Sequence, residues 1–207
     1  MSYYTYQTEG LVLDDFDVGE NNRILLVFSK ELGLIRAYAK SSRSERSKLR
    51  PLFQKFSCIN FSIVQGRNTL RITGADGGYN LFYELFGDYL SEGKRSENRL
   101  KIESISRVYT LLVRLLQGQE KDYKLYNTIR TFTDYLKKDY NDKESARSLE
   151  LLTVSRILYN LGYMEDQKEM KEIISSWDIN PAMVRFFDKN YKKILKKVNE
   201  AIENSQL

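Results

Sequence analysis

From the N-terminus to about residue 80, apolar positions alternate with polar ones or fall in short runs, with turn residues between them. Both patterns predict β-strands. The strands fall at Thr8–Leu13, Ile24–Ser29, Gly33–Ala39, Phe56–Gln65 and Thr69–Thr73, with turns at Gly19–Asn21, Lys30–Leu32 and Gly66–Asn68. Five strands in so short a stretch predict a small antiparallel barrel of OB-fold size, although the pattern alone does not separate an OB-fold from an SH3-like barrel. The glycine-rich stretch Gly74–Gly78 is expected to end the barrel.

Beyond it the period changes to about 3.6 residues, which predicts helices. One stripe joins Ile105, Val108, Leu112 and Leu115, a second Tyr126, Ile129, Thr133 and Leu136, and a third Leu151, Val154, Leu158 and Leu161. Asn141 with Glu144 reads as a capping-box start for the third helix, and Gly162 as its C-terminal cap. Asn180 followed by Pro181 opens the last helix. Lys94–Asn98 is expected to be a flexible connector. The fold class is therefore α+β, all-β then all-α: a five-stranded OB-fold barrel over residues 1–79, then a helical bundle over 80–207.

Composition narrows the chemistry. The 207 residues include no histidine and one cysteine, Cys58. An intrachain disulfide, a four-cysteine zinc site and every histidine-dependent nucleophile or base are excluded by counting. Asp76 with Gly77 and Gly78 lacks the lysine and hydroxyl of a phosphate-binding loop, and no Walker pattern occurs. No cofactor, metal or small-molecule substrate is expected. No apolar run reaches the roughly 18 residues of a membrane span. Met1–Gly10 lacks the basic start and apolar stretch of a signal peptide. A cytoplasmic location is the expectation.

Charge adds the decisive feature. The whole chain carries +5, yet the window Arg36–Lys55 alone carries +6: Arg36, Lys40, Arg43, Arg46, Lys48, Arg50 and Lys55 face only Glu45. Its centre reads KSSRSERSKLR, serine hydroxyls set among cations, a combination that suits phosphate oxygens. The bland reading is a solvated, mobile loop; the charge concentration favours nucleic acid, bound with little regard to sequence and weakened by salt. Tyr38 is the candidate for stacking on a base, whereas Phe56 is expected in the core. Asp14, Asp15 and Asp17, with Glu20, read as a solvated loop, the alternative being the metal ligands of a nuclease. Trp177, Phe186 and Phe187 read as core packing rather than a docking pocket. Lys189, Lys192, Lys193, Lys196 and Lys197 read as a solvated helix surface with weak supplementary DNA contact.

Several local patterns occur together. They are Thr8, Glu9 and Gly10 leading into a strand; Gly19 and Glu20 with Arg23; a turn from Phe28 to Gly33; Ala39 and Lys40 opening the basic loop, which runs through Leu49 to Phe53–Phe56; and Leu161, Gly162 and Tyr163 at a helix end. In these respects Thr8–Arg67 resembles the OB domain of the bacterial RecO family of recombination mediators, and the helical part is thinly but collinearly similar. The resemblance implies a non-enzymatic DNA repair protein of the RecF-type pathway, nucleoid-associated when active. Such proteins bind single- and double-stranded DNA and anneal strands without ATP. They work with RecR and assist RecA loading on DNA coated by single-strand-binding protein, whose acidic tail they recognise. It places Lys40, Arg43, Arg46, Lys48 and Arg50 on the DNA-contacting loop, with Arg23, Arg67 and Arg71 as secondary contacts. Many family members carry a four-cysteine zinc module after the L-G-Y position; here Met164–Lys171 follows without a cysteine. Tail recognition needs a basic residue beside an apolar groove, for which Arg147 and Arg156 are candidates, although helix-surface ion pairs explain them equally. The other reading is an OB-fold module for single-stranded DNA or RNA without mediator activity.

Overall fold

A computed structural model describes residues 4–66, 69–86, 91–116, 118–137, 143–165 and 170–204. The chain forms two compact units, Met1–Tyr89 with Leu116–Tyr123, and Leu90–Leu115 with Lys124–Leu207.

The first unit is a closed barrel of β1 (Thr5–Val18), β2 (Asn22–Ser29), β3 (Gly33–Ala39), β4 (Ser57–Gln65) and β5 (Leu70–Asn80), ordered β1-β2-β3-β5-β4. Neighbours are antiparallel except for β3 and β5, which run parallel and close the cylinder. This is the OB architecture. Strand alternation decides what faces inward. On β3, Ile35, Ala37 and Ala39 are buried while Arg36 is exposed and Tyr38 half-buried. Val12, Leu25, Val27, Phe61 and Ile63 complete the interior with them. Each of the buried Val, Leu, Ile and Phe side chains contributes about 1.5–3 kcal/mol by leaving water.

Two strands are longer than their sequence patterns predict. The glycine-rich stretch Gly74–Gly78 does not end the barrel: β5 stays paired with β4 as far as Asn80, through register shifts between Cys58 and Asn60 and between Ser62 and Ile63. These irregularities absorb backbone that only glycine adopts easily. Gly78 has φ +90°, and a Cβ there would collide with the Cys58 carbonyl. Likewise β1 continues past a bulge between Val12 and Asp14, so Asp14, Asp15 and Asp17 lie on a strand paired with β2 and not in a loop.

The β2–β3 turn receives the segment Leu116–Tyr123. Gly33 has φ +66°, and the Glu120 backbone occupies the place a Cβ would take. The Tyr123 hydroxyl donates to Glu31 Oε2 at 2.6 Å. After β5 comes a short helix, α1 (Leu81–Phe86). Asn80 caps it, its Oδ1 accepting from the Phe82 amide at 3.0 Å.

The second unit is helical: α2 (Glu92–Leu115), α3 (Tyr123–Lys137), α4 (Lys143–Asn160), α5 (Lys171–Ser175), α6 (Pro181–Lys189) and α7 (Tyr191–Asn204). The first two stripes are buried throughout. Lys94–Asn98 is not a connector but part of α2, a stretch without a helix breaker and supported by the Glu97–Lys101 pair at 2.9 Å. Helix α4 is central and packs on α2, α5, α6 and α7. It is therefore apolar on several faces, with Leu149, Leu152 and Ile157 buried beside Leu151 and Leu158, while Val154 and Leu161 are half-buried. Gly162 ends it at φ +80°, with its amide bonded to Tyr159 and that of Tyr163 to Leu158, a Schellman closure. Asn141, the expected start, lies outside the described residues. Asn180 caps α6 by accepting from the Met183 amide at 3.0 Å, with Pro181 in the first turn.

Arg156 is wholly buried on α4 and donates to the carbonyls of Ile173 (2.9 Å), Trp177 (3.1 Å) and Asp178 (2.7 Å). Ile173 stands at the C-terminal end of the short helix α5, and Trp177 and Asp178 in the irregular chain that follows it, so these carbonyls require donors. Burial pushes the guanidinium down to about 10, against the attraction of Asp178. Arg156 is thus neither a surface ion pair nor available to a ligand. Phe187 is buried as core, Phe186 is half-buried, and Trp177 is 44% exposed, contrary to the core reading for that residue. Among the described residues no helix is long and apolar enough to cross a membrane.

Candidate nucleic-acid interface

The basic residues enter the barrel surface on β3 and leave it at the start of β4. Alternation turns Arg36 and Tyr38 outward, and Lys40 follows where the strand ends. On the neighbouring strand β5, Arg71 is the register partner of Tyr38 and is exposed. Arg36, Tyr38 and Arg71 therefore share the outer face, with Tyr38 half-buried.

The loop from Lys40 to Phe56 is organised by consecutive turns, with the amides of Ser44, Ser47 and Arg50 bonded to the carbonyls of Ser41, Ser44 and Ser47. It is pinned along its length. The Ser41 amide donates to Asn22 Oδ1 at 2.9 Å, and the buried Ser42 hydroxyl to the Ala39 carbonyl at 3.0 Å. Phe53 is buried in the barrel, where its ring stacks on Phe61 at 6.3 Å, with Leu49 and Leu52 packed beside it. Phe56, expected in the core, is only half-buried. It adopts φ +72°, and Lys55 Nζ lies 5.6 Å from its ring centre. The chain turns sharply there to enter β4, and Phe53 fills the interior in its place.

The aspartates of β1 sort the cations into two groups. Arg23 lies 3.4 Å from Asp15 and 3.2 Å from Asp17 and donates to the Phe53 carbonyl at 2.8 Å. Arg43 lies 3.3 Å from Asp17 and donates to the Gly19 carbonyl at 2.9 Å. Lys55 lies 3.8 Å from Asp14, and its amide donates to Asp15 Oδ1 at 2.8 Å. These three cations brace the loop on β1. Arg36, Lys40, Arg46, Lys48 and Arg50 are exposed, and none has an ion pair among the described residues. Arg67 lies outside the described residues. The aspartates face cations rather than one another, and no three metal-binding side chains converge among the described residues.

Residues 1–77 match the family model for the Recombination protein O N terminal. The N-terminal barrel is thus similar to the N-terminal domain of RecO proteins. The DNA repair protein RecO of a Synechocystis species is 38% identical over 76 residues, 37% of this chain and 28% of that protein. RecO of Rubrobacter xylanophilus is 35% identical over 71 residues, 34% of this chain and 29% of that protein. RecO of Alkaliphilus metalliredigens is 29% identical over 134 residues, 61% of this chain and 54% of that protein. The chain thus spans between about a quarter and a half of the length of these curated relatives. The RecO match contains β1 to β4, the aspartate braces and the whole basic loop, and ends within β5.

The second unit has a cavity of about 510 Å³ lined by Arg147, Lys189, Tyr191, Lys192 and Lys193, with Ser148 donating to Asp188 Oδ1 on its wall at 3.1 Å. The second basic run is therefore not only a solvated helix face, because three of its lysines gather with Arg147 around one concavity. Lys196 and Lys197 lie further along α7, Lys196 at 3.8 Å from Glu200.

Proposed function

We propose that this protein is a recombination mediator of DNA repair, with a DNA-binding domain over residues 1–79, a helical domain over 80–207, and no catalytic centre of its own. One observation carries the reading: five exposed cations, Arg36, Lys40, Arg46, Lys48 and Arg50, stand on a strand and loop pinned by a second set of cations paired to β1. Exposed cations without acidic partners meet phosphates with no ion pair to break first. Arg71 and Tyr38 extend the same surface on the barrel.

Two DNA strands approaching each other repel through their phosphates. A face that neutralises several phosphates lowers that repulsion and lets base pairing, which is downhill, proceed without ATP. Strand annealing, work alongside RecR and assistance of RecA loading are supported by the likeness to RecO proteins rather than by the geometry. An acidic tail, such as that of the single-strand-binding protein, finds charge complementarity at the cavity of Arg147, Lys189, Lys192 and Lys193. No part of this scheme requires the histidine, zinc or nucleotide-loop chemistry that the sequence lacks.

The test is annealing of two complementary oligonucleotides, one carrying a fluorophore and the other a quencher, without ATP. Sub-stoichiometric acceleration is expected. Binding of both strands with no acceleration supports instead an OB-fold module for single-stranded nucleic acid.

A further inference from the structure

We infer that the aromatic cluster of α1, beside the end of the basic loop, is a stacking platform for the bases of a single strand whose phosphates lie on that loop. The inference rests on the DNA-binding reading above and says where the bases go.

Helix α1 reads LFYELF and buries Leu81 and Leu85, one helical turn apart. Its other faces carry Phe82, 43% exposed, Tyr83, 46% exposed, and Phe86, half-buried. Phe82 stacks on Phe86 at 4.9 Å and meets Tyr83 edge to face at 6.0 Å. A single exposed aromatic is unremarkable, but a contiguous exposed group of them marks a contact surface.

Its position selects the occupant. Gln54 joins the platform to the loop: its Nε2 donates to the Arg50 carbonyl at 3.1 Å, and its Oε1 accepts from the Tyr83 hydroxyl at 3.1 Å. A hollow of about 190 Å³ lies between Gln54, Lys55 and Phe56 on the loop side and Phe82 and Tyr83 on the helix side. The acidic group on its wall, Asp15, is already paired with Arg23 at 3.4 Å. Rings joined through Gln54 to the turn that carries exposed Arg50 meet the two things a single strand presents, π-faces and phosphates. A duplex keeps its bases stacked inside and gains nothing from the rings.

The platform is also preorganised. Asn80 is buried, donates to the Lys55 carbonyl at 3.0 Å and to Ser57 Oγ at 2.7 Å, and caps α1 from the same side chain. The Leu81 amide bonds to the Phe56 carbonyl at 3.0 Å. Loop end and helix start are thus one hydrogen-bonded unit, and little ordering is left for binding to impose.

The experiment compares oligo(dT) with an abasic oligonucleotide of equal length, titrated against the full chain by fluorescence anisotropy. The two carry the same phosphates. The unmodified chain is expected to bind oligo(dT) about 10-fold more tightly. The double variant Phe82→Ala/Tyr83→Ala is expected to lose this preference while keeping its affinity for the abasic strand. In Trp177→Phe/Phe82→Trp, the single indole is expected to be quenched by oligo(dT) and not by the abasic strand, a readout that does not depend on the alanine variant folding. Retention of the preference in the double variant, an unquenched indole, or equal binding of both strands by the unmodified chain overturns the platform alone. Binding of neither strand overturns the DNA-binding reading with it.

Discussion

Replacing Arg46, Lys48 and Arg50 together by alanine removes three of the five exposed cations between Arg36 and Arg50 without touching the braces on β1. For single-stranded DNA each neutralised phosphate contributes about −0.7 to the slope of log affinity against log salt. Five contacts give a slope of about −3.5, so affinity falls roughly 130-fold between 50 and 200 mM salt. The triple variant retains two contacts and a slope of about −1.4, a fall of only about 7-fold over the same range. Arg43→Ala is the discriminating control. Arg43 carries the same formal charge in the same loop, but it lies 3.3 Å from Asp17 and bonds the Gly19 carbonyl. Its loss is expected to leave the slope near the unmodified value and to act through loosening of the loop. The assay is anisotropy of labelled oligo(dT) across a salt series. A triple variant with the unmodified slope, or an Arg43→Ala slope reduced as much as that of Arg46→Ala, refutes the division into bracing and contacting cations.

Two further outcomes concern stability. Gly33→Ala forces a side chain into φ +66° and into the Glu120 backbone, and is expected to cost about 2 kcal/mol or more in urea unfolding; an unchanged midpoint shows that Leu116–Tyr123 does not seat on this turn. Arg156→Ala leaves the carbonyls of Ile173, Trp177 and Asp178 without their donor and is expected to cost on the order of 3 kcal/mol or more, with a red shift of Trp177 emission. Because burial holds the guanidinium at about 10 when folded, below its ordinary value in the unfolded chain, it is charged in both states at any lower pH, and only above about 10 does stability gain as pH rises. The cost of Arg156→Ala is therefore expected to be equal at pH 6 and pH 9, and a marked difference in urea midpoints between them contradicts this assignment.

The sequence by itself determined the class of fold and the location of the charge. Alternation over β1 to β4 and the 3.6-residue stripes of α2 and α3 are local patterns, and local periodicity is what backbone geometry imposes. The excess of cations from Arg36 to Lys55 is a sum that needs no coordinates. The tertiary structure decided which of those cations are exposed without partners. Asp17 lies 26 residues before Arg43, and only the pairing of β1 with β2 and of β2 with β3, which aligns Asp17, Arg23 and Ala39, brings β1 beside the loop. It also decided that Phe53 and not Phe56 fills the barrel, since a turn at φ +72° reverses the inside and outside that strand periodicity implies. Pairing with β4 carried β5 through glycines that read as a terminator, because register shifts accommodate them. Arg156 showed the same limit: a basic residue on a helix reads as surface until the helix is found at the centre of its unit, with unpaired carbonyls around it. Patterns along the chain report what each element prefers; which polar groups meet is settled by contacts between residues far apart in sequence.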